Sequence, residues 1–349
     1  MGLMSIIDEL ARAGGTALYL QRNYDVLRRV VADSLRRRGL ILEPLSEAVE
    51  KRSWVRKLLW RALPKEEGVK PYGAFLYVPP GLRIQAPLTF CFVVSEAEQL
   101  VHNVIVIDEG SDVLVTSACA STKRGEAHEG YTEVYLRRGA RLNYVMIHSW
   151  MRETRVTAKT GVEVGEEGSF TQFYTCLKSP SSLTSDSRAL LRQEATALLS
   201  TLYVASPSSS TTISSTIILA GEGSGGEVLA RAVAVKGATL RLPTRIEARA
   251  PGSRGHIECR GLQLSPDSRI ETTPALYSLR GGSQLTHEAA IGKISEEELY
   301  YLMSRGFTEE EATSLLVRGF LETGIRGLPE VMKPQVDAIL SILARKAVG

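Results

Sequence analysis

Short apolar runs separated by turn residues fill the middle of the chain, from about residue 69 to residue 290. Val, Ile, Leu, Thr and Tyr cluster in these runs, and Gly, Pro and Asp interrupt them. This texture is typical of β-strands. No helical pattern lies between the strands, which argues against βαβ units.

One strand–turn–strand phrase recurs at a nearly constant step. It is written VIVIDEGSDVLV, EVYLRRGARLNYV and GVEVGEEGSFTQF, and its turn glycines Gly110, Gly139 and Gly168 are 29 residues apart. Such a period in strand-rich sequence indicates a solenoid, in which stacked coils bury the apolar face that a single coil leaves open. We therefore predict a mainly β chain built as a parallel β-helix, with a large antiparallel sandwich as the alternative.

The N-terminal end reads differently. Apolar residues between Leu10 and Leu35 recur at roughly helical spacing, and the following segment continues this pattern up to Pro64. Residues 1–68 are therefore predicted to form an N-terminal helical region, and residues 69–290 the β-helix core.

The C-terminal end, residues 291–349, is predicted to be a helical domain. Ser295 and Glu298 form a capping-box signature that Gly306 closes. Thr308 and Glu311 repeat the device, and Gly319 is expected to end that second helix. A last helix closes the chain.

The Ser/Thr-rich stretch between Lys178 and Ser215 is ambiguous. It fits either an inserted helix or polar strands on a lateral face of the solenoid. We favour strands, with an irregular loop near Pro207.

Composition narrows the class of protein. Lys+Arg number 42 against 39 Asp+Glu, so nothing indicates nucleic acid or an acidic membrane as a partner. We find no signal peptide and no apolar run of about 18 residues. The four cysteines are far apart without a CxxC pair, which argues against a disulfide framework or a zinc knuckle. A cytoplasmic protein with free thiols is expected.

Candidate chemistry is confined to a few side chains. No Walker A loop, GxSxG or HExxH is present. Cys259 precedes the triplet Thr286-His287-Glu288 by about one repeat, so these residues are expected on neighbouring coils, about 4.8 Å apart. Thiolate, imidazole and carboxylate together could bind iron or zinc. The alternative is a buried cysteine and an ordinary surface His–Glu pair.

The remaining cysteines are interpreted mainly as core residues. Cys119 lies on a strand where it is either a core residue or part of a thiol relay. Cys91 and Cys176 are assigned no role, and Trp150 alone indicates packing.

Four segments resemble the SufB/SufD family of iron–sulfur cluster assembly scaffolds. They are HNVIVIDEGSDVLVTSACAS, EVYLRRGARLNYVMIHSW, GHIECRGLQLSPDSRIETTPAL and LTHEAAIGKISEEELYYLMSRGFTEEEATSLLVRGFLE. The resemblance implies a right-handed parallel β-helix between N-terminal and C-terminal α-helical regions. It also implies pairing of two chains, two copies or two paralogues, through the last strands. A SufC-like ABC ATPase would dock on the C-terminal helices.

The resemblance also implies roles for individual residues. Cys259 would be the sulfur acceptor, and it would hold iron together with His287 and Glu288, as in SufB-like chains. Cys119, Trp150 and Lys159 resemble residues of an internal sulfur path. The docking surface for the ATPase would include six residues of the C-terminal helices: Glu298, Tyr301, Leu302, Arg305, Phe307 and Glu311.

The chain departs from the family pattern at the sulfur path. His148-Ser149-Trp150 stands where Gln-Asn-Trp is common, and Val93 stands where Arg is expected. The internal path is therefore less supported than the edge site.

Three functions follow as hypotheses. The first is a non-enzymatic scaffold that carries a transient iron–sulfur cluster, receives sulfur from a donor protein or sulfide, and uses ATP only through its partner. The second is a SufD-like accessory subunit that aids iron entry and needs a SufB-like partner. The third, an exported carbohydrate-active or adhesive β-helix, is disfavoured by the lack of a signal peptide and by the 6% aromatic content.

Overall fold

The computed structural model describes residues 17–122 and 127–348. About 52% of the chain is strand, wound into a parallel β-solenoid of about seven turns, and about 18% is helix near the termini. The predicted fold class is confirmed. The nineteen strands of the described residues are β1 Ala17–Arg22, β2 Asp25–Val31, β3 Ile41–Pro44, β4 Ala74–Val78, β5 Arg83–Val94, β6 Glu98–Ile107, β7 Asp112–Ser121, β8 Ala127–Leu136, β9 Arg141–Ser149, β10 Arg155–Val164, β11 Ser169–Lys178, β12 Ser182–Leu191, β13 Thr196–Val204, β14 Ser210–Leu219, β15 Gly225–Ala234, β16 Thr239–Ala248, β17 Arg254–Gln263, β18 Arg269–Ser278 and β19 Gln284–Gly292.

The helices of the described residues lie toward the two ends. They are α1 Asp33–Arg37, α2 Leu45–Lys51, α3 Ser53–Arg56, α4 Glu296–Ser304, α5 Glu309–Glu322 and α6 Lys333–Val348, with a 3-10 turn at Glu330–Met332. No helix in the two described ranges is long and apolar enough to cross a membrane.

Two sheets form the walls of the solenoid. The first, sheet A, has ten strands in the order β19-β17-β15-β13-β11-β9-β7-β5-β1-β2. The second, sheet B, has nine strands in the order β18-β16-β14-β12-β10-β8-β6-β4-β3. From β4 onward, successive strands alternate between the sheets, so each coil adds one rung to both walls. Side chains that point inward from the two walls form one continuous apolar core.

Tight turns between the walls explain part of the glycine pattern. Gly110 and Gly139 have φ of 66° and 63°, in the left-handed region that glycine adopts without strain. At the third turn of the series Glu167 takes that conformation instead, with φ of 59°, and Gly168 does not.

The N-terminal region is only partly helical, which corrects the prediction for that segment. Within the predicted range 1–68, residues 17–31 form β1 and β2, and only short helices follow. β1 pairs in parallel with β5, because the open end of a sheet offers unpaired backbone groups that a strand satisfies and a helix does not. The part of the prediction on residues 1–16 lies outside the described residues.

The Ser/Thr-rich stretch is strand, as favoured. It contains β12 and β13 and continues into β14, and the chain turns near Pro207. β12 carries polar side chains on both faces: Ser185 and Ser187 are buried, and Thr184 and Asp186 are exposed. The inserted helix is therefore wrong.

The C-terminal helices begin where their caps were predicted. Ser295 accepts a hydrogen bond from the Glu298 amide at the start of α4, and Thr308 and Glu311 form a full capping box on α5. Gly306 has φ of 97° and ends the turn after α4. Gly319 does not end α5, which continues to Glu322.

The two terminal regions pack on opposite walls. α2 and α3 cover the outer face of sheet B, where Leu45, Val55 and Leu58 contact Phe75 and Tyr135. α5 and α6 cover the outer face of sheet A through a larger apolar cluster. That cluster includes Val317, Leu321, Val336, Ile339, Leu340 and Leu343 from the helical region and Val145, Ile147, Phe173, Leu202, Val204 and Val233 from the sheet.

Candidate functional site

The last coil of the solenoid leaves both sheets open. β19 ends sheet A and β18 ends sheet B, and no further strand of the described residues pairs with either. β19 is exposed along nearly its whole length, and large apolar side chains such as Tyr277, Leu279 and Ile291 face solvent. This end is therefore an unpaired edge that carries His287 and Glu288.

The register of this edge differs from the predicted 29-residue step. β17 and β19 pair with a step of 30, so Cys259 lies beside Ala289 and Glu258 lies beside Glu288. Because neighbouring rungs share side-chain orientation, the change of one residue places Glu288 on the opposite face of the sheet from Cys259. His287 pairs with Ile257 and stays on the same inner face as Cys259.

Cys259 points into the end of the solenoid and is only 1% exposed. The Thr244 hydroxyl on the opposite wall lies 3.7 Å from its sulfur. Burial raises the pKa of the Cys259 thiol, and the hydroxyls of Thr272 and Thr244 oppose that shift. The resting residue is therefore a protonated thiol with a polar neighbour.

On the outer face of the same strand, a buried ion pair joins the edge to the C-terminal helices. The Arg231 guanidinium donates to Glu258 at 2.6 Å and to the Thr323 hydroxyl at 3.2 Å. Arg260 and Arg326 lie 2.9 Å and 3.5 Å from the Glu258 carboxylate. Burial raises the pKa of Glu258, but these guanidinium groups outweigh it and hold that pKa below its usual value.

Glu288 belongs to this outer network. Its carboxylate lies 3.6 Å from Arg260, and its side chain is 65% exposed. Among the residues that the structure describes, no three side chains of His, Cys, Asp or Glu converge closely enough to hold a metal ion. Cys259, His287 and Glu288 are thus brought to one edge but not to one point within a single chain.

Cys119 lies in the interior, several coils away from Cys259. It is in register with His148 on β9, which is in turn in register with Cys176 on β11. Burial raises the pKa of both Cys119 and Cys176 to about 12 and lowers the pKa of His148 to about 4. These side chains are therefore neutral at pH 7.

Trp150 is buried among polar rings. Its ring lies 4.8 Å from that of His128 and 5.4 Å from that of His148. Trp150 Nε1, His148 Nδ1 and the Tyr174 hydroxyl are all buried, and none has a hydrogen-bond partner among residues 17–122 and 127–348. Buried polar groups nearly always form hydrogen bonds, so this part of the interior is suited to bind water or another small polar molecule.

A ladder of inward hydroxyls on sheet B was missed in the sequence. Five residues on successive rungs are in register, from β8 to β16: Thr132, Thr160, Ser187, Ser215 and Thr244. Thr244 is the one that contacts Cys259. These residues recur in the sequence at steps of 27 to 29, which is a detectable repeat. Ser and Thr are common in strands, however, so single residues of this kind do not indicate a functional row.

Lys159 does not line the interior, which corrects the expectation from resemblance. It lies on the outer face of sheet B, where it pairs with Glu66 at 2.5 Å and approaches the Tyr131 ring. The inward neighbours on β10 are Ala158 and Thr160.

The predicted docking residues form two exposed patches on the C-terminal helices. α4 buries none of its residues, and Tyr300 and Tyr301 are 62% and 58% exposed. Arg305 stacks on the Tyr301 ring, with Glu298 and Leu302 on the same helix. Phe307 and Glu311 line a groove of about 530 Å³ between α5 and α6.

Comparison with known proteins gives one family. The family described as "SUF system FeS cluster assembly, SufBD core domain" has a model that matches residues 91–320. That range contains most of the solenoid, the edge strands and α4 with most of α5.

Individual relatives agree. An iron-sulfur cluster assembly SufBD family protein of Archaeoglobus fulgidus is 33% identical over 97% of this chain and 93% of its own length. One of Methanothermobacter thermautotrophicus is 32% identical over 85% of this chain and 77% of its own length. The iron-sulfur cluster assembly protein SufB of Bacillus subtilis is 23% identical over 97% of this chain and 75% of its own length.

Proposed function

The chain belongs to the SufBD family of the SUF system, and from this premise we propose that it is the scaffold on which a nascent iron–sulfur cluster forms. Family membership supports a role in iron–sulfur cluster assembly. The scaffold role is supported by one observation above the others: the edge strands bring a cysteine, a histidine and a glutamate to an unpaired end of the solenoid.

The cluster ligands would come from two chains. Cys259 and His287 face the inside of the last coil, whereas Glu288 faces outward. One chain therefore cannot direct all three donors at one iron. A second chain, either another copy or a paralogue, that pairs along β18 and β19 would cover the exposed apolar residues and bring a second donor set to the same edge.

The proposed ligands suit an iron–sulfur cluster that must be released to another protein. Cysteine supplies soft thiolate, and His287 and Glu288 supply nitrogen and oxygen that suit iron but bind it less firmly in a cluster than thiolate. Cys259 must lose its proton to bind iron, and burial opposes that loss. Arg260 holds Glu288 in the resting chain, so Glu288 must leave this guanidinium before it can reach iron.

A SufC-like ATPase would bind α4 and the groove between α5 and α6. The exposed Tyr300, Tyr301 and Phe307 give this surface the aromatic character that protein interfaces favour. The contacts of Arg231 with Thr323 and Glu258 would carry a displacement of the helical region to the strand that contains Cys259.

Sulfur would reach the edge through the interior. Cys119, the unpartnered polar atoms around Trp150, and the hydroxyl ladder that ends at Thr244 support such a path. Lys159 has no place in it, because its side chain is on the outer wall.

The test is anaerobic reconstitution with iron and sulfide of the protein co-purified with its ATPase. We expect wild type to take up a cluster, seen by visible absorption, Mössbauer spectra and iron content, and Cys259→Ser to lose most of it. Cys91→Ser is the matched control, since Cys91 is equally buried but lies under Leu18 and Leu20 at the other end. Full cluster formation by Cys259→Ser would refute the proposal.

The second candidate is a SufD-like accessory subunit. One observation favours it: no set of three metal ligands converges within the described part of a single chain. If neither wild type nor variant takes up a cluster, and addition of a SufB-like paralogue restores uptake, this second function is correct.

A further inference from the structure

Lys346 of α6 places its ammonium group against the turn that follows β11. Its Nζ donates to the Ser179 hydroxyl at 2.6 Å and to the Val204 carbonyl, and it lies 5.7 Å from the centroid of the Tyr203 ring. These partners are neutral, and no carboxylate in the described part of the chain forms an ion pair with Lys346. A cation withdrawn from water is normally paired with an anion, and this one is not.

Cys176 is the ionisable side chain that interacts with this ammonium group. Its thiol is fully buried in the apolar core and donates to the Lys178 carbonyl at 3.0 Å. The charge of Lys346 and the Ser179 hydroxyl favour a thiolate, but burial outweighs them and raises the pKa of the Cys176 thiol to about 12. The resting chain therefore holds an unpaired positive charge beside a neutral sulfur atom.

Two polar side chains next to Cys176 also lack a partner. His148 is in register with Cys176 on the neighbouring rung of sheet A, and Tyr174 is two residues earlier on β11. Both are only 2% exposed, and neither His148 Nδ1 nor the Tyr174 hydroxyl has a hydrogen-bond partner within the described residues. A tyrosine hydroxyl and a neutral imidazole can each donate a hydrogen bond. The interior at Cys176 thus offers one cation and unused donors to a small anionic group.

We propose that Cys176 is a further sulfur-carrying residue, which accepts a sulfane sulfur as a persulfide whose negative charge Lys346 balances. This role rests on the proposed function, in which sulfur passes through the interior. A persulfide extends one sulfur atom beyond the thiol and is more acidic than the thiol. It therefore suits a site where a cation already lies beside the sulfur without an anion of its own.

The transfer needs no oxidant, because the sulfur arrives already bound in a persulfide. The Cys176 sulfur attacks the outer sulfur of a donor persulfide, and the sulfur–sulfur bond of the donor breaks. The donor leaves as a thiol that carries the proton of Cys176, and the product is Cys176–S–SH. This product loses the proton of its outer sulfur to water, and the Lys346 ammonium group then faces an anion.

Cys91 shows what equal burial does without a cation. It lies on sheet A under Leu18 and Leu20, and it is fully buried. Burial raises the pKa of the Cys91 thiol to about 12, and no basic group opposes that shift. If Lys346 served only to attach α6, Cys91 and Cys176 would react alike. Cys91 is therefore the control within the same chain.

The test is persulfide mapping on the full chain without iron. The protein is reduced, treated anaerobically with glutathione persulfide, alkylated and digested, and mass spectrometry measures the fraction of each cysteine that carries one additional sulfur. We expect a high fraction at Cys176 and little at Cys91. Lys346→Met is expected to lower the fraction at Cys176 by about tenfold, the factor typical of a lost hydrogen bond to a charged group. Lys178→Met, which removes an exposed lysine two residues from Cys176, is expected to have no effect.

Three results would each overturn this role for Cys176. They are no added sulfur at Cys176, equal fractions at Cys176 and Cys91, and an unchanged fraction at Cys176 in Lys346→Met. The measurement involves neither Cys259 nor a cluster, so sulfur at Cys176 would stand even if Cys259→Ser kept full cluster formation. Conversely, cluster formation from free sulfide while Cys176 stays unmodified would leave the scaffold role intact and overturn only the role of Cys176. Circular dichroism of each variant confirms that the fold is retained.

Discussion

The two terminal regions are attached to the solenoid by different chemistry. At the N-terminal end, the buried carboxylate of Glu133 accepts hydrogen bonds from the amides of Trp60 and Ala62, at 2.6 Å and 2.9 Å, and lies 2.9 Å from His102 Nε2. At the C-terminal end, α5 and α6 rest on sheet A mainly through aliphatic and aromatic side chains. The first attachment adds a buried, directed carboxylate to a small apolar cluster, and the second depends mainly on a larger apolar cluster, with polar contacts of Arg231 and Lys346 beside it.

This difference separates a fixed region from one suited to movement. A buried carboxylate with directed donors has one arrangement that satisfies all its partners. The backbone of Trp60 has φ of 64°, an uncommon conformation for a residue other than glycine, and the hydrogen bond that its amide donates to the Glu133 carboxylate helps to hold it. An apolar face has no such single geometry, and α4 buries no residue at all. We therefore expect the C-terminal region to be displaced more readily than the N-terminal region.

The largest expected effect tests the polar attachment. Glu133→Ala leaves the Trp60 amide and His102 Nε2 without this partner, whereas the Ala62 amide keeps the Tyr135 hydroxyl and that hydroxyl keeps the Leu58 carbonyl. We expect the free energy of unfolding to fall by about 3–5 kcal/mol, the range for loss of one partner from a buried network. Urea unfolding followed by tryptophan fluorescence measures it.

The matched control for this substitution is Glu163→Ala. Glu163 pairs with Arg61 of the same N-terminal region at 3.0 Å, but on the surface. We expect a loss of less than about 1 kcal/mol, as for exposed ion pairs. Similar losses for the two variants would show that the attachment does not depend on the buried carboxylate.

A smaller effect tests how closely α5 ends against sheet A. A Cβ at Gly324 would lie 2.5 Å from Cγ of Arg231 and 2.9 Å from Cδ2 of Leu202, so Gly324→Ala must displace one of them. We expect a loss of about 1–3 kcal/mol, as for overpacked cores. Thermal unfolding and hydrogen exchange in α5 measure it.

Gly319→Ala is the control on the same helix. Nothing lies within 4 Å of a Cβ there, and the position is inside α5. We expect a gain of up to about 1 kcal/mol from helix propensity. A loss at Gly319 as large as that at Gly324 would mean that the helix, and not its contact with Arg231, is sensitive.

The smallest effect concerns pH at the C-terminal attachment. Lys346 of α6 reaches the Ser179 hydroxyl at 2.6 Å, and burial lowers its pKa to about 8. The unfolded chain keeps this proton up to about pH 10.4, so between these values it binds more protons than the folded chain. Stability at this site therefore rises with pH across that window.

Comparison with Lys346→Met isolates this site from other groups that titrate in alkali. We expect the unfolding free energy of the wild type, relative to that of the variant, to rise by roughly 1 kcal/mol as pH rises from 9 to 10. Urea unfolding at both pH values measures it. A difference that is independent of pH would show that Lys346 keeps an ordinary pKa.

The sequence was sufficient for the solenoid and for the helix caps because both depend on local patterns. The 29-residue step from Gly110 to Gly139 and the Thr308–Glu311 capping box can both be recognised in the sequence without knowledge of tertiary contacts. β1 and β2 could not be predicted in this way, since their apolar residues fit either period. Pairing of Ala17 with Leu88 across 71 residues decides in favour of strand.

The candidate site was predicted at the level of residues but not of geometry. Cys259, His287 and Glu288 do lie at one edge, but the pairing step of 30 and the inward direction of Cys259 depend on the turn before β19. Arg231 and Glu258 were missed, because nothing in the local sequence marks a charged pair that a distant helix will bury.

The turn between β18 and β19, residues 279–283, sets the register of the edge strand β19. Its length decides which alternate set of β19 side chains faces inward. With the coil kept at 30 positions, gain of one residue here would place Glu288 beside Cys259 and turn His287 outward, without any substitution in either strand. A single-codon insertion in this turn would therefore exchange the donors at the edge while the composition of both strands is preserved.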